Sequence, residues 1–171
     1  MPTCPRCALL AVALAALAFT GCDSNNPGAD LDLIDGTYAV AELTFTPNGS
    51  GVAPVDIAAN LDGTTRLEVF GGDAEALFVF RFVDRGLSYR SDLTAAASRG
   101  RASFQAEMED DAQNLARLLL PTQFSLTYDE GNGSRLSGSF NLTANLQAYD
   151  PQAYQGVTAV PGRLTIRLVR Q

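Results

Sequence analysis

Residues 135–147 read RLSGSFNLTANLQ, and no other stretch of the chain is as regular. Apolar or small residues occupy every second position from Leu136 to Leu146, and polar residues occupy the positions between them. A period of two is that of a β-strand with one buried face. A slip of one residue would exchange the two faces, so the pairing register of this strand is expected to be fixed.

The same alternation extends over most of the chain on both sides of this segment. Near the C-terminus, Leu164, Ile166 and Leu168 alternate with Arg163, Thr165 and Arg167. Together with residues 135–147, the predicted strands are residues 36–46, 64–70, 75–83, 87–94, 101–108, 123–128 and 157–169. The period changes at residues 110–120 (DDAQNLARLLL), where apolar residues recur at helical spacing and Pro121 follows. The chain is therefore predicted to be mainly β, with one inserted helix.

About eight antiparallel strands can close into an up-and-down barrel whose interior holds side chains or one small ligand. The same alternation is compatible with a sandwich of two sheets. In the first strand it places Ala39, Ala41, Leu43 and Phe45 on one face and Tyr38 on the other. Residues 75–83 (EALFVFRFV) are apolar on both faces and are expected to be buried on both sides.

The N-terminus contains an apolar run, ALLAVALAALAFTGC at residues 8–22, preceded by Arg6. This run resembles the signal of a bacterial lipoprotein. The resemblance implies an N-terminal signal helix, cleavage between Gly21 and Cys22, and acylation of Cys22. It implies a signal peptide at residues 1–21, a flexible tether at 22–33 and a single barrel domain at 34–171. Three acyl chains would hold the protein firmly to the inner or outer membrane of the cell envelope.

The start of the first strand, Gly36-Thr37-Tyr38, is similar to the G-x-W motif of lipocalins, with tyrosine in place of tryptophan. The resemblance implies a lipocalin or calycin-like barrel. It also implies that Tyr38 closes the barrel floor and that an arginine of the last strand, Arg167, covers it.

The amino-acid composition argues against several classes of function. The chain carries 12 basic residues, all arginine, against 19 acidic ones, for a net charge of −7, and the arginines are scattered along the sequence. A nucleic-acid-binding surface would need clustered basic residues, so no nucleic acid partner is expected. The chain has no histidine and no G-x-S-x-G motif, so it is not expected to be an enzyme. No cofactor is expected, and the acidic residues at 107–111 are interpreted as a charged helix start and not as a metal site.

Two functions remain open, with an enzyme that uses carboxylates alone as a remote third. The favoured one is a membrane-anchored, lipocalin-like envelope module that binds a small apolar ligand inside the barrel. Its candidate lining residues are Tyr38, Phe78, Phe80, Phe140 and Leu142. The alternative is a structural or partner-binding lipoprotein with a solid barrel, which meets another envelope protein through residues 52–62 and 149–156.

Overall fold

The computed structural model describes residues 27–49 and 51–171. Gly21, Cys22 and the predicted signal helix lie outside the described residues. The three helices are α1 (Pro27–Ile34), α2 (Glu109–Arg117) and α3 (Leu146–Tyr149). The strands are β1 (Gly36–Pro47), β2 (Val55–Asp56), β3 (Arg66–Phe70), β4 (Glu75–Arg81), β5 (Ser88–Ser98), β6 (Arg101–Ala106), β7 (Gln123–Tyr128), β8 (Arg135–Ala144) and β9 (Val160–Arg170). No helix in the described part of the chain is long and apolar enough to cross a membrane.

Eight of these strands form a closed antiparallel barrel. Each long strand pairs with the next along the chain, and β9 returns to pair with β1 from Tyr38 to Pro47. The two-residue strand β2 adds to β1 at Thr44 and Phe45 and is not part of the ring. The sheet therefore closes on itself, as in a calycin-like fold, and is not a pair of stacked sheets.

The eight predicted strands are all present, and the predicted inserted helix is α2. This helix ends three residues earlier than expected, because Leu118 begins a turn and Leu119 adopts a left-handed backbone with φ of 59°. The strand predicted to reach residue 147 ends at Ala144. There the side chain of Asn145 accepts the backbone N–H of Ala148 at 3.1 Å and caps the short helix α3.

The predicted faces of β1 are wrong in its first half. The pairing with β9 shifts by one residue between Val40 and Glu42, which marks a β-bulge at Ala41. Tyr38 is therefore buried together with Leu43 and Phe45, while Ala41 is exposed. In β4, Phe78 and Phe80 are fully buried, but Leu77 and Val79 on the other face are only half-buried.

Helix α1 covers one end of the barrel, which we call the floor. Leu31 and Ile34, three residues apart on one side of the helix, are 5% and 0% exposed. The helix is bonded to two turns of the floor, since Asp30 accepts the N–H of Arg99 and Asp35, just after α1, accepts that of Gly71. Residues 27–33 of the predicted tether are thus part of α1 and belong to the folded domain, because Leu31 and Ile34 pack into the core.

Candidate functional site

The predicted ligand-lining residues lie in different parts of the barrel. Tyr38, Phe78 and Phe80 are 0% exposed. Phe78 meets Phe80 edge-on with ring centroids 6.0 Å apart, and Phe80 meets Phe82 in the same way at 5.8 Å. Phe140 and Leu142 are half-buried on β8. The structure therefore places the first three in the packed core and the last two at its margin.

Tyr38 lies at the floor, where its hydroxyl joins four parts of the chain. The hydroxyl lies 2.9 Å from the carbonyl oxygen of Ile34 and 2.8 Å from that of Gly133, and it accepts a hydrogen bond from Arg170 Nη2 at 2.9 Å. Arg170 Nη2 also donates to the carbonyl of Leu33 at 2.7 Å. Burial raises the pKa of Tyr38 above its ordinary value of 10.0, although the adjacent Arg170 opposes the increase.

The arginine that covers Tyr38 is Arg170 and not Arg167. The Arg170 guanidinium carbon lies 5.4 Å from the centre of the Tyr38 ring. Arg167 points to the outer surface, where its Nε lies 3.3 Å from a carboxylate oxygen of Glu42 on β1. The difference arises because Arg170 pairs with Tyr38 in the register of β1 and β9, whereas Arg167 pairs with Glu42 beyond the bulge.

The opposite end of the barrel, which we call the mouth, is covered by aromatic and arginine side chains. Arg85 lies over the ring of Phe82 at 4.5 Å and donates to the carbonyl of Tyr149. Arg117 of α2 lies over the ring of Tyr89 at 4.6 Å. A cavity of about 570 Å³ lies beside them. Asp84 and Asp150 lie 3.8 and 3.2 Å from Arg85, so the charge of Arg85 is already balanced.

Asp150 organises the loop after α3, and its role predicts a pH dependence. Its carboxylate accepts the N–H groups of Ala153 and Gln152, each at 2.9 Å. The pKa of Asp150 lies below its ordinary value of 3.8, mainly because of the hydrogen bond from the backbone N–H of Ala153. The Gln152 N–H and the nearby Arg85 also lower this pKa, and burial opposes the decrease. A carboxyl whose pKa is lower in the folded state stabilises the fold while ionised, and this contribution disappears as the pH falls through the folded value.

We therefore expect Asp150→Asn to lower the melting temperature at neutral pH. The gap between variant and wild type should be smaller at acidic pH than at neutral pH, because the stabilising contribution is lost as the pH falls through the folded-state pKa of Asp150. Thermal unfolding followed by circular dichroism at the two pH values measures the gap. A gap of equal size at both would contradict a stabilising role for the ionised carboxylate.

The outer wall of the barrel contains a groove of about 790 Å³ at the junction of β7 and β8. Only two residue pairs join these strands, Thr127 with Ser137 and Tyr128 with Leu136. By comparison, ten residue pairs join β8 to β9. Beyond Thr127 and Ser137 the two strands do not pair with each other, and this stretch, residues 123–126 and 138–141, is called the seam below.

Short hydroxyl side chains form much of the groove surface. Thr127 and Ser137 are paired across β7 and β8, and the Thr127 hydroxyl donates to the Ser137 carbonyl at 3.0 Å. Farther along, Ser125 and Ser139 lie on the two sides of the seam, and the hydroxyl of Ser139 lies 3.3 Å from that of Thr165. These side chains are short, so the surface is recessed between longer neighbours and offers both donors and acceptors.

A phenylalanine closes the seam from within. Gly138 faces inward from β8, where a side chain would meet Leu126 Cδ2 at 2.8 Å, the Ser125 carbonyl oxygen at 3.1 Å and the Phe140 ring at 3.2 Å. The Phe140 ring lies in the space that the glycine leaves and meets Phe124 edge-on, with ring centroids 6.2 Å apart. Because both rings line the groove, its surface combines an aromatic patch with hydroxyl groups.

Three arginines surround the groove, although they are far apart in the sequence. Arg101 lies on β6, and Arg163 and Arg167 lie on β9. Registers place Arg167 beside Ser137, Ser137 beside Thr127, and Thr127 beside Arg101 in one row across four strands. Sequence reasoning missed this cluster because the scattered arginines meet only through strand register. The outward alternation of Arg163 and Arg167 was the one signal available.

Acidic residues do not form a comparable site. Among the residues that the structure describes, no three His, Cys, Asp or Glu side chains are grouped so that they could hold a metal ion. At the start of α2, Asp111 accepts the backbone N–H of Asp92 at 2.9 Å and that of Met108 at 3.1 Å. This carboxylate therefore joins the helix to β5.

No protein-family model matches the chain, and no curated protein matches it either. What the groove does is therefore inferred from its own chemistry.

Proposed function

We propose that this chain is a bacterial envelope lipoprotein, anchored through acyl chains on Cys22, whose barrel binds a ligand in the groove of its outer wall. The observation that carries the binding role is the groove itself. It has the volume usual for a ligand site, about 790 Å³, and it combines hydroxyls, an aromatic ring and arginines. The anchoring role is supported by the apolar run that ends in Thr20-Gly21-Cys22.

The wall is favoured over the interior because of how the inner side chains pack. Phe78 and Phe80 are 0% exposed and contact other aromatic rings. An apolar ligand inside the barrel would have to separate these rings, whereas a ligand in the groove meets side chains that already face solvent. A one-to-one displacement of a fluorescent fatty acid, abolished by Phe80→Trp, would instead favour the interior.

A second candidate function, binding of an envelope protein at the mouth, has one observation in its favour. Val83 and Leu87, in the turn between β4 and β5, are 65% and 52% exposed. Leu87 lines the mouth cavity together with Pro151, which belongs to one of the two segments predicted to contact a partner. Exposed apolar residues that lie close together are typical of interaction sites.

The position of α1 has a consequence for how an anchored barrel would stand on the membrane. Helix α1 begins at Pro27, five residues after Cys22. Five residues span at most about 18 Å even when fully extended. With α1 bonded to the floor, the floor faces the lipid, the mouth points away, and the wall groove is open at the side.

The anchor is tested by metabolic labelling with palmitate. We expect the wild-type chain to incorporate the label and to partition into detergent, and Cys22→Ala to do neither. Cys7→Ala is the matched control, because it removes a thiol from the predicted signal peptide and should leave labelling unchanged. Equal labelling of Cys22→Ala and wild type would exclude Cys22 as the acylated residue.

A further inference from the structure

We propose that the wall groove binds a linear anionic oligosaccharide, with uronate carboxylates held by Arg101 and Arg163 and sugar hydroxyls held by the serine and threonine side chains between them. This inference rests on the proposed binding function of the groove and specifies the class of its ligand.

Charge is the first reason. In the part of the chain that the structure describes, neither Arg101 nor Arg163 has an acidic partner, and both are exposed. Arg167 is paired with Glu42, the one carboxylate among the residues that line the groove. The groove thus has a local charge of +2 on a chain whose net charge is −7. An anionic ligand complements this local charge, and the guanidinium fork matches a carboxylate well.

The spacing of the arginines is the second reason. Arg101 and Arg167 are three strand-to-strand steps apart, or about 14 Å along the sheet. Arg163 lies four residues before Arg167 on the same face of β9, which is also about 14 Å. Arg101 and Arg163 lie on the diagonal of these two steps, about 20 Å apart, and one small anion cannot reach both guanidinium groups. An extended ligand with repeated anionic groups can.

The surface between the arginines is the third reason. The Thr127 hydroxyl donates its proton to the Ser137 carbonyl and offers an acceptor. The hydroxyls of Ser125 and Ser139 are each paired with one other hydroxyl, those of Ser103 and Thr165, and keep further capacity to bond a sugar hydroxyl. The half-buried ring of Phe140 supplies an apolar face beside them. Aromatic rings commonly pack against the apolar portion of a ligand while polar groups fix its orientation.

The geometry of the seam argues against an inserted peptide strand. A strand between β7 and β8 would need these strands to lie about 9.6 Å apart, twice the usual spacing. They are much closer, because a side-chain carbon at Gly138 would lie only 3.1 Å from the Ser125 carbonyl oxygen. The seam therefore leaves no slot for a further strand.

The test is calorimetric titration of residues 22–171, the part that remains after the predicted cleavage, with Cys22→Ser to remove the acylation site, against three probes of similar length. These are hexagalacturonate, its methyl-esterified form, which lacks the charges, and a hexaglutamate peptide. We expect hexagalacturonate alone to bind with measurable heat. Arg101→Gln and Arg163→Gln should each weaken binding by about tenfold, the usual cost of losing a charge-assisted hydrogen bond. Arg99→Gln is the matched control, because the Arg99 side chain also has no acidic partner in the described part of the chain and the residue is exposed, but it lies on a floor turn outside the groove.

The remaining outcomes separate the two proposals. Binding of hexaglutamate that depends on Arg101 and Arg163, without binding of hexagalacturonate, would overturn the saccharide class and keep the groove as the binding surface. Equal binding of the esterified form would show that binding does not depend on the carboxylate charges of the ligand, and would overturn the anionic class. If no probe binds, or if Arg99→Gln weakens binding as much as the groove variants do, the groove proposal itself is overturned. Equal melting temperatures of the three arginine variants show that folding is intact.

Discussion

Gly133→Ala is expected to lower the free energy of unfolding by roughly 2–5 kcal/mol, the sum of a left-handed backbone cost and an overpacking cost. Gly133 has φ of 57°, a region that side chains rarely adopt. A Cβ atom there would lie 2.3 Å from the carbonyl oxygen of Leu33, a backbone atom near the end of α1. Because neither backbone can yield easily, we expect α1 to be displaced from the floor.

Two control substitutions separate the contributions. Gly49→Ala carries the backbone cost without the clash, since Gly49 has φ of 64° and nothing lies within 4 Å of its Cβ position. Gly131→Ala changes the same turn as Gly133, where the nearest atom is a side-chain oxygen of Asp129 at 3.3 Å. Urea unfolding of the three variants measures the difference. If Gly133→Ala were no less stable than Gly49→Ala, α1 would not be held against this turn.

Tyr38→Phe is expected to cost roughly 2–4 kcal/mol, because it removes the hydroxyl beside two buried carbonyl groups and takes one acceptor from the Arg170 guanidinium. The hydroxyl lies within 3 Å of Ile34 O, Gly133 O and Arg170 Nη2. When only one partner of a buried hydrogen bond is removed, the other polar group stays buried and unpaired. Replacing both partners by apolar groups avoids this cost. The double variant Tyr38→Phe, Arg170→Met should therefore be more stable than the sum of the two single changes predicts.

Tyr89→Phe is the control for this experiment. Tyr89 stacks on Phe80 with ring centroids 5.1 Å apart, and its hydroxyl forms no hydrogen bond in the described part of the chain. Loss of that hydroxyl should change stability by less than about 0.5 kcal/mol. Similar costs for Tyr38→Phe and Tyr89→Phe would mean that the floor network contributes little.

The alternation of the sequence predicted all eight barrel strands because each of them has one buried face. It failed at Ala41, where a bulge adds one residue to β1 and exchanges the faces before it. The sequence pattern does not reveal the bulge, because small apolar residues such as Ala39 and Ala41 are compatible with either face of the strand. The bulge also explains why Tyr38 is buried, as the lipocalin resemblance implied, and why Arg170 replaces Arg167 above it.

Helix α1 and the wall groove could not be predicted for a different reason. In the segment that becomes α1, PGADLDLI, Leu31 and Ile34 are the deeply packed residues among the described side chains 30–34, and the floor provides the surface for them. The groove depends on two strands that pair at only two positions and on registers that bring Arg101 into line with Arg167. Both features arise from contacts between distant segments, which a single sequence does not show.

Hydrogen exchange of residues 22–171 carrying Cys22→Ser, with and without hexagalacturonate, tests most directly whether binding takes place on the outer wall. The seam residues, 123–126 and 138–141, belong to strands that are unpaired with each other there, so their amides should be slowed by a ligand that covers them. We expect slower exchange in these two segments and no change in residues 82–88 or 149–156 at the mouth. Slowing at the mouth, or none at the seam when the ligand is bound, would contradict the account.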